Sequence, residues 1–210
     1  MAQRIGIVGG TFNPVHIAHL VIADRFAEQM QLDRVLLVPA YRSPFKLGET
    51  DGIENSDKHR LAMLELSIAG MPHCSVSTIE TDRQGISYTI DTLRALEADY
   101  QQHGTSAELF LLIGGDQAAA FTKWRAWQEI LTIAQLCMAR RPHTIPADVE
   151  QAIAYTLTTD ERTPQWIHAP LLAISSTEIR DRVRADKSIR HLVPHDVEAY
   201  IYHHNLYSTP

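Results

Sequence analysis

Short apolar runs alternate with helical stretches along the chain, and this alternation limits the possible folds more than any other feature. Six runs have the length and composition of buried strands: residues 5–8, 34–39, 75–78, 109–113, 136–139 and 166–169. Helical periodicity covers a first stretch that ends near Gln29, a stretch that carries Trp124 and Trp127, and residues 57–69, 88–100, 146–157, 175–185 and 196–203. This order is typical of βαβ units. The sequence therefore predicts an α/β fold, a Rossmann-like doubly wound parallel sheet with helices on both faces.

The size and composition of the chain predict one globular domain. The 210 residues suffice for one large core, and no repeat or linker divides them. We expect a single domain over residues 1–210, with a helical C-terminal part from about residue 175 packed on it. Cys74 and Cys137 lie in apolar surroundings, which indicates reduced core cysteines. No leader precedes the first strand and no apolar run approaches the ~20 residues of a membrane span. A cytoplasmic protein without a membrane partner is predicted; a homo-oligomer remains open.

The charge of the chain bears on its partners. The formal net charge is −6, whereas nucleic-acid-binding domains are usually basic. We therefore expect no nucleic-acid partner. A polyanionic substrate would have to be bound by a local cluster of cations, since the overall field repels it.

Residues 9–20 join the first strand to the first helix and predict an anion site. Gly9 and Gly10 let the backbone turn sharply and leave no Cβ in the way of a ligand. Backbone N–H groups at a helix N-terminus bind phosphate well. Asn13 is a candidate N-cap, with Pro14 in the first turn. His16 and His19 are three residues apart, which places both side chains on one helical face near the turn.

Other interpretations of this stretch stay open. A Gly-Gly turn and two surface histidines occur in ordinary α/β proteins. The spacing of His16 and His19 lacks the His-Glu-x-x-His pattern of a zinc helix, so no metal site is predicted. The stretch also differs from the G-x-G-x-x-G dinucleotide fingerprint and from the G-x-x-x-x-G-K-[ST] phosphate loop.

The stretch resembles the GGTFDPxHxGH signature of the nucleotidyltransferase superfamily, through Gly9-Gly10-Thr11-Phe12-Asn13-Pro14-Val15-His16-Ile17-Ala18-His19. The resemblance implies the nucleotidyltransferase type of the fold and transfer of a nucleotidyl group from a nucleoside triphosphate to a phosphorylated acceptor. Asn13 replaces the usual Asp and Ala18 replaces the usual Gly. The first change removes a charge from a residue that can still cap a helix, and the second adds a methyl group near the expected nucleotide.

Further motifs follow later strands. Pro39-Ala40-Tyr41-Arg42-Ser43-Pro44-Phe45-Lys46 is similar to the family loop P-x-x-x-P-P-H-K, with Phe45 in place of His, and implies that Lys46 meets the triphosphate. Gly114-Gly115-Asp116 is similar to G-x-D, whose carboxylate lies near the ribose. Ile174-Ser175-Ser176-Thr177-Glu178-Ile179-Arg180 is a capped helix start, since Glu178 lies at capping-box distance from Ser175. It resembles the ISSTxIR motif that contacts the triphosphate. His59-Arg60 also fits a family pattern, although a solvated helix start explains it equally well.

Three stretches narrow the resemblance to the bacterial nicotinate-nucleotide adenylyltransferase family. They are Ser87-Tyr88-Thr89-Ile90-Asp91-Thr92-Leu93, the residue Trp124, and Arg140-Arg141-Pro142. The resemblance implies that Trp124 stacks on the nicotinate ring and that backbone near Thr89 and Arg125 receives the carboxylate. Arg125 stands where some relatives have Tyr. The implied nicotinate-nucleotide site comprises Thr11, Lys46, Tyr88, Thr89, Trp124, Arg125 and Arg141.

The resemblance implies adenylyl transfer from ATP to nicotinate mononucleotide, with pyrophosphate as the second product and no covalent intermediate. The implied catalytic residues are His16, His19, Lys46 and Arg180. The implied ATP site comprises Gly9, Gly10, Thr11, Phe12, His19, Gly114, Asp116, Ile174, Ser175, Ser176, Thr177 and Arg180. The implied cofactor is Mg²⁺ carried mainly by ATP, because the sequence offers no dedicated carboxylate cage.

Three other functions remain open. A sister transferase would use nicotinamide mononucleotide or phosphopantetheine as the acceptor. The segment His16-Ile17-Ala18-His19 resembles the HIGH motif of class I aminoacyl-tRNA synthetases, but the chain is short and acidic for a tRNA partner. A nucleotide-binding regulator that has lost catalysis would account for Asn13 and Phe45. A measurement of pyrophosphate release would distinguish such a regulator from a catalytic transferase.

Overall fold

The computed structural model describes residues 2–44, 57–139 and 147–208. Within these residues, six parallel strands form one sheet in the order β3-β2-β1-β4-β5-β6. The strands are β1 Gln3–Gly10, β2 Arg34–Pro39, β3 Cys74–Val76, β4 Ala107–Gly114, β5 Ala134–Ala139 and β6 Gln165–Ile167. Each lies on a run that the sequence predicts as a strand. The bounds of β2 agree with the prediction at both ends.

Helices connect the strands. They are α1 Ile17–Gln29, α2 Asp57–Ile68, α3 Ile79–Arg83, α4 Thr89–Gln102, α5 Gly115–Ala118, α6 Trp127–Ile133, α7 Ala147–Leu157, α8 Ser176–Arg184 and α9 His195–His203, with a 3₁₀ turn over Phe121–Lys123. In the part of the chain that the structure describes, no helix is both long enough and apolar enough to cross a membrane.

Apolar side chains cover both faces of the sheet. In β4, Phe110 and Leu112 enter one cluster, whereas alternate residues such as Leu111 enter a second cluster on the opposite face. Four helices, α1, α2, α8 and α9, supply the first cluster with Ala23, Phe26, Met63, Leu64, Ile179, Val183, Val197 and Ile201. Helices α4 and α6 supply the second with Ile90, Leu93, Leu96, Ile130 and Leu131. A parallel sheet buried on both faces confirms the predicted doubly wound fold.

The predicted secondary structure is wrong at two places after β3. The sequence predicts no element between the strand over residues 75–78 and the helix over residues 88–100, but Ile79–Arg83 form the short helix α3. It also predicts one helical stretch around Trp124, but this region is broken into α5, the 3₁₀ turn and α6. The break has a backbone cause: Trp124 is extended and Ala126 has a φ of 52°, which no continuous right-handed helix allows.

The strand order places a crevice above β1 and β4. The chain passes from β1 to β2 and β3 on one side, and then returns to β4 on the other side of β1. Ligands of doubly wound sheets bind beyond the carboxyl ends of the strands where the order reverses in this way. Gly9 and Gly10 end β1, and Gly114 ends β4. These glycines therefore lie at the edge where a ligand is expected.

Candidate functional site

The two glycines at the end of β1 have different surroundings. A Cβ built on Gly9 would meet no atom within 4 Å, so space for a ligand lies open above this residue. A Cβ on Gly10 would lie 3.0 Å from the Phe12 ring, and therefore Gly10 permits close packing inside the loop. Phe12 itself is buried and has a φ of 49°. A non-glycine residue in this region stores strain, which is frequent at functional sites.

The first helix begins later than the sequence predicts. The helix α1 starts at Ile17 with His16 as its N-cap, so the prediction that Asn13 caps the helix is wrong. The reason is a tertiary contact, because the Oδ1 atom of Asn13 accepts a hydrogen bond of 2.6 Å from the Tyr207 hydroxyl. Pro14 consequently precedes the helix and is buried in the loop.

His16 and His19 lie against each other at the start of α1. Their ring centroids are 3.6 Å apart and their planes differ by 23°, so the rings stack. The backbone N–H of His16 donates to Nδ1 of His19 over 3.2 Å. Since Nδ1 accepts, the neutral ring of His19 carries its proton on Nε2. The ring edge of Phe12, 5.0 Å away, supports His19 from another side. The site thus offers an oriented Nε2–H donor.

The N-terminal part of α8 binds the loop after β1. The hydroxyl of Ser176 donates to the Pro14 carbonyl at 2.8 Å, and the Arg180 guanidinium donates to the Asn13 carbonyl at 2.7 Å. Ser175 caps α8, because its Oγ accepts from the backbone N–H of Glu178 at 3.1 Å. Half-buried Ile174 packs against the first apolar cluster. The two motifs that the sequence singles out, at residues 9–19 and 174–180, are therefore in direct contact.

Arg60 holds the same loop from α2, and the sequence did not assign it a role. The residue is only 6% exposed, and its side chain donates to the Thr11 carbonyl at 2.8 Å and pairs with Asp57. A signal was available, because Arg60, Leu64 and Ile68 are spaced by four residues and share the buried face of α2. An arginine on that face needs a buried partner.

The second half of the expected nucleotide site lies at the end of β4. Gly114 ends this strand and is paired with Ala139 of β5. Asp116 is exposed in the first turn of α5, on the same edge of the sheet as Gly9. The N–H of Gly114 donates to Oε1 of Gln117 at 3.1 Å, which fixes the turn between strand and helix.

Four of the seven expected nicotinate-nucleotide residues lie at or near the start of α4: Tyr88, Thr89, Trp124 and Arg125. The Arg125 guanidinium lies 4.8 Å above the centre of the Tyr88 ring and 3.6 Å from the carboxylate of Asp91. Such cation–π contacts orient a guanidinium. Thr89 is the first residue of α4. The neighbouring Trp124 is half-buried, with its ring 5.1 Å from that of Phe121.

Two residues of the 87–93 motif hold other segments in place. The Ser87 hydroxyl accepts from the backbone N–H of Tyr41 at 2.9 Å, which ties the loop after β2 to the start of α4. Thr92 is buried, donates to Glu80 at 2.6 Å and accepts from Arg83 at 3.1 Å. Sequence reasoning missed Glu80, because its partner Thr92 lies 12 positions further along the chain, in the next helix.

Lys46 and Arg141, like Arg140, lie outside the described residues.

The site and its surroundings contain little that would bind a metal ion by itself. Over residues 2–44, 57–139 and 147–208, no three His, Cys, Asp or Glu side chains gather closely enough to hold a metal ion. Cys74 and Cys137 are free thiols. Burial raises the pKa of Cys137 to about 12, and burial together with nearby Asp24 raises the pKa of Cys74 to about 11.

Comparison with known proteins agrees with this architecture. The family model of cytidylyltransferase-like proteins matches residues 7–182. A protein of Enterococcus faecalis, named a probable nicotinate-nucleotide adenylyltransferase, is 38% identical over 205 residues, which cover 98% of this chain and 85% of that protein. A Roseiflexus protein of the same name is 41% identical over 207 residues, 97% of each chain.

A solved structure shares the fold. The nicotinic acid mononucleotide adenylyltransferase of Plasmodium falciparum superposes with a TM-score of 0.77 at 18% identity, over 98% of this chain and 97% of that one. It was determined in complexes with APC and with NaAD. At this identity the likeness concerns the fold, whereas the two relatives above share sequence over nearly their whole length. The chain belongs to the cytidylyltransferase-like family and, within it, to the nicotinate-nucleotide adenylyltransferases.

Proposed function

We propose that the chain transfers the adenylyl group of ATP to nicotinate mononucleotide and forms nicotinate adenine dinucleotide and pyrophosphate, a step of NAD biosynthesis. Family membership supports the reaction class. The observation that carries the proposal is the stacked pair of His16 and His19, which lies at the N-terminus of α1 beside the open space over Gly9. The positive end of the helix dipole suits a phosphate whose negative charge increases during the reaction.

The reaction requires no protein nucleophile. An oxygen of the 5′-phosphate of nicotinate mononucleotide forms a bond to the α-phosphorus of ATP. The bond from that phosphorus to the oxygen bridging to the β-phosphate breaks, and pyrophosphate leaves with the bonding electrons. Because the attacking group is already an anion, the enzyme contributes alignment and charge stabilisation.

Three side chains supply that stabilisation in our proposal, and a fourth, His16, supports one of them. The Nε2–H of His19 donates to an α-phosphate oxygen, since its Nδ1 is already occupied by the His16 N–H. His16 supports this ring by stacking. Arg180 contacts the loop after β1. Its guanidinium N–H groups that are not bound to Asn13 or Thr177 donate to the leaving pyrophosphate. Lys46, which the sequence places after β2, adds a point charge.

The two substrates occupy the two sides of the crevice. We assign ATP to the backbone of Gly9 and Gly10, to the end of β4 with Asp116, and to the start of α8. The remaining residues of this ATP site are Thr11, Phe12, Gly114, Ile174, Ser175, Ser176 and Thr177. Hydroxyl groups of a ribose are suitable donors to the Asp116 carboxylate. We assign nicotinate mononucleotide to the region beside α4. Trp124 stacks on the nicotinate ring and backbone at Thr89 and Arg125 receives its carboxylate; Thr11, Lys46, Tyr88 and Arg141 complete this side.

Mg²⁺ enters this proposal as part of the ATP substrate. The described residues gather no set of carboxylates that would hold the ion alone. An ion that keeps several waters and binds phosphate oxygens does not need such a set. His19, Arg180 and Lys46 therefore act on the triphosphate, and no step is assigned to a protein-bound metal.

The test is pyrophosphate release with ATP and Mg²⁺, with nicotinate mononucleotide and nicotinamide mononucleotide compared as acceptors. We expect a strong preference for nicotinate mononucleotide, even if nicotinamide mononucleotide also reacts. Comparable rates with the two acceptors would retain adenylyl transfer but refute the carboxylate pocket at Thr89 and Arg125. Absence of turnover with either acceptor would refute the proposed function.

A further inference from the structure

Tyr207, near the C-terminal end of the described residues, contacts the loop after β1 through a buried hydrogen bond. The hydroxyl of Tyr207 donates to Oδ1 of Asn13 at 2.6 Å, across 194 positions of the chain. Tyr207 is 5% exposed and Asn13 is 7% exposed, so water does not compete for this bond. A buried acceptor that loses its donor has no replacement partner, and the loss is costly.

Asn13 is held at two points by two different elements. Its side chain binds Tyr207, and its backbone carbonyl accepts from Arg180 of α8. The segment between Gly10 and α1 lies outside the helices and strands, and it contains Phe12 with its φ of 49°. Because a strained backbone persists only where its surroundings impose it, these tertiary contacts define the path of the loop.

The path of this loop sets the position of the histidines. Asn13 precedes the N-cap residue His16 by three positions, and His16 holds His19 through both its ring and its backbone N–H. A displacement of Asn13 therefore moves the Nε2–H donor of His19 relative to the α-phosphate. Displacements on the scale of 1 Å cost on the order of 10²-fold in rate.

We propose that Tyr207 is a positioning residue of the transfer reaction, which through its hydrogen bond to Asn13 holds the loop that orients His16 and His19. This inference rests on the proposed function. It assigns Tyr207 no contact with a substrate. The loss of its hydroxyl should therefore reduce kcat and leave the KM values for both substrates nearly unchanged.

The decisive variant is Tyr207→Phe, which keeps the ring in the apolar cluster and removes only the hydroxyl. Tyr202→Phe is the matched control, because Tyr202 belongs to the same C-terminal segment but is exposed. We expect Tyr207→Phe to lower kcat on the order of 10-fold, with KM values within about twofold. Tyr202→Phe should behave as the wild type. A normal kcat for Tyr207→Phe, even with a lowered Tm, would overturn the inference.

A double-mutant cycle with Asn13 tests whether the effect passes through this bond. Asn13→Ala removes the acceptor, so adding Tyr207→Phe to it should lower kcat no further. Asn13→Asp keeps an acceptor oxygen and should retain most of the activity with Tyr207 present. Additive losses from Tyr207→Phe and Asn13→Ala would show that the hydroxyl acts elsewhere and would overturn the inference.

A spectroscopic measurement separates this inference from the proposed function. The ¹⁵N ring signals of His16 and His19, assigned with His16→Gln and His19→Gln, report the tautomer and surroundings of each ring without turnover. We expect both sets of signals to shift in Tyr207→Phe and to stay unchanged in Tyr202→Phe. Unchanged signals in Tyr207→Phe would refute the positioning role. An inactive wild-type protein would instead refute the proposed function, whatever the signals show.

Discussion

The imidazole rings of His16 and His19 lie face to face, with their centroids 3.6 Å apart, and the backbone N–H of the first donates to Nδ1 of the second. In the proposed reaction, the ring of His16 supports the ring of His19, and His19 supplies the donor. The donor is Nε2–H of His19, which faces away from the backbone contact.

Replacement of His19 by alanine tests this donor. We expect His19→Ala to lower kcat by on the order of 10² to 10⁴, the usual scale for the loss of a catalytic hydrogen-bonding group. The fold should persist, because His19 is only half-buried at a helix start. Turnover is measured as pyrophosphate release, and Tm reports the fold. His103→Ala, an exposed histidine at the end of α4, is the control. Near-normal turnover of His19→Ala would remove His19 from the mechanism.

Substitution of Trp124 tests the assignment of the nicotinate ring. Stacking of a base on an aromatic side chain contributes ~1–3 kcal/mol by alanine substitution. We expect Trp124→Ala to raise the KM for nicotinate mononucleotide by roughly 10-fold, with the KM for ATP unchanged. Trp124→Phe, which keeps a smaller ring, should give an intermediate value. Trp127→Phe is the control, since Trp127 lies in α6. Equal effects on both KM values would place Trp124 outside the nicotinate site.

The fold was largely predictable from the sequence because its strands are continuous apolar runs. In β2, Val35, Leu36, Leu37 and Val38 are all buried, and Pro39 ends the run. Such runs predict strands buried on both faces, and the helices between them make a parallel sheet the natural arrangement. The short helix α3 was missed because five residues, of which only Ile79 is apolar, carry no clear helical period. The break at Ala126 was missed because neither Gly nor Pro marks it.

The candidate site was predictable only in its local motifs. The stretch 9–19 and the start of α8 are recognisable by their residues, and the structure brings them together. The partners that fix the loop are remote in sequence: Arg60 is 49 positions from Thr11, and Tyr207 is 194 positions from Asn13. Asn13 looked like a helix cap because local rules consider only its neighbours along the chain. A long-range hydrogen bond to Tyr207 displaces that local preference.

Removal of the Arg60 side chain tests the loop's support from α2. Arg60→Leu leaves the Thr11 carbonyl without this donor and Asp57 without its partner. We expect the free energy of unfolding to fall by about 1–3 kcal/mol, the cost of buried groups that lose a hydrogen bond. The control is Arg25→Leu, which removes an exposed ion pair with Glu28 and should change stability by less than about 1 kcal/mol. Urea denaturation of both variants measures the difference. Equal, small losses would contradict a structural role for Arg60.

The two cysteines should be unreactive in the folded protein. With pKa values of about 11 for Cys74 and about 12 for Cys137, the thiolate fraction at pH 8 is on the order of 10⁻³ or less. A chromogenic disulfide reagent, which releases an absorbing thiolate when it reacts, should therefore label the native protein slowly and the guanidinium-unfolded protein quickly. Gln101→Cys adds an exposed thiol on α4 as a positive control. Fast labelling of the native wild type would contradict the burial of these thiols.

His59 lies in α2 and contacts α9, and its protonation should make the free energy of unfolding depend on pH. Its Nδ1 lies 2.9 Å from the Tyr200 hydroxyl, and its ring centroid is 5.2 Å from that of His204. Burial, together with the charges of His204 and Lys58, lowers the pKa of His59 below its usual 6.5. The unfolded chain therefore binds a proton first as the pH falls, so this contribution to stability is complete above pH 6.5 and is lost below it.

The measurement is Tm at a neutral and at a mildly acidic pH. His59→Gln keeps a hydrogen-bonding side chain beside Tyr200 but does not titrate, so its Tm should fall less on acidification than that of the wild type. The difference should be small because His59 is only half-buried, so solvent and salt still screen its charge. His103→Gln, on the opposite face of the sheet, corrects for the general effect of losing a histidine. If His59→Gln lost as much Tm as the wild type, the protonation of His59 would have no part in the acid sensitivity of the contact between α2 and α9.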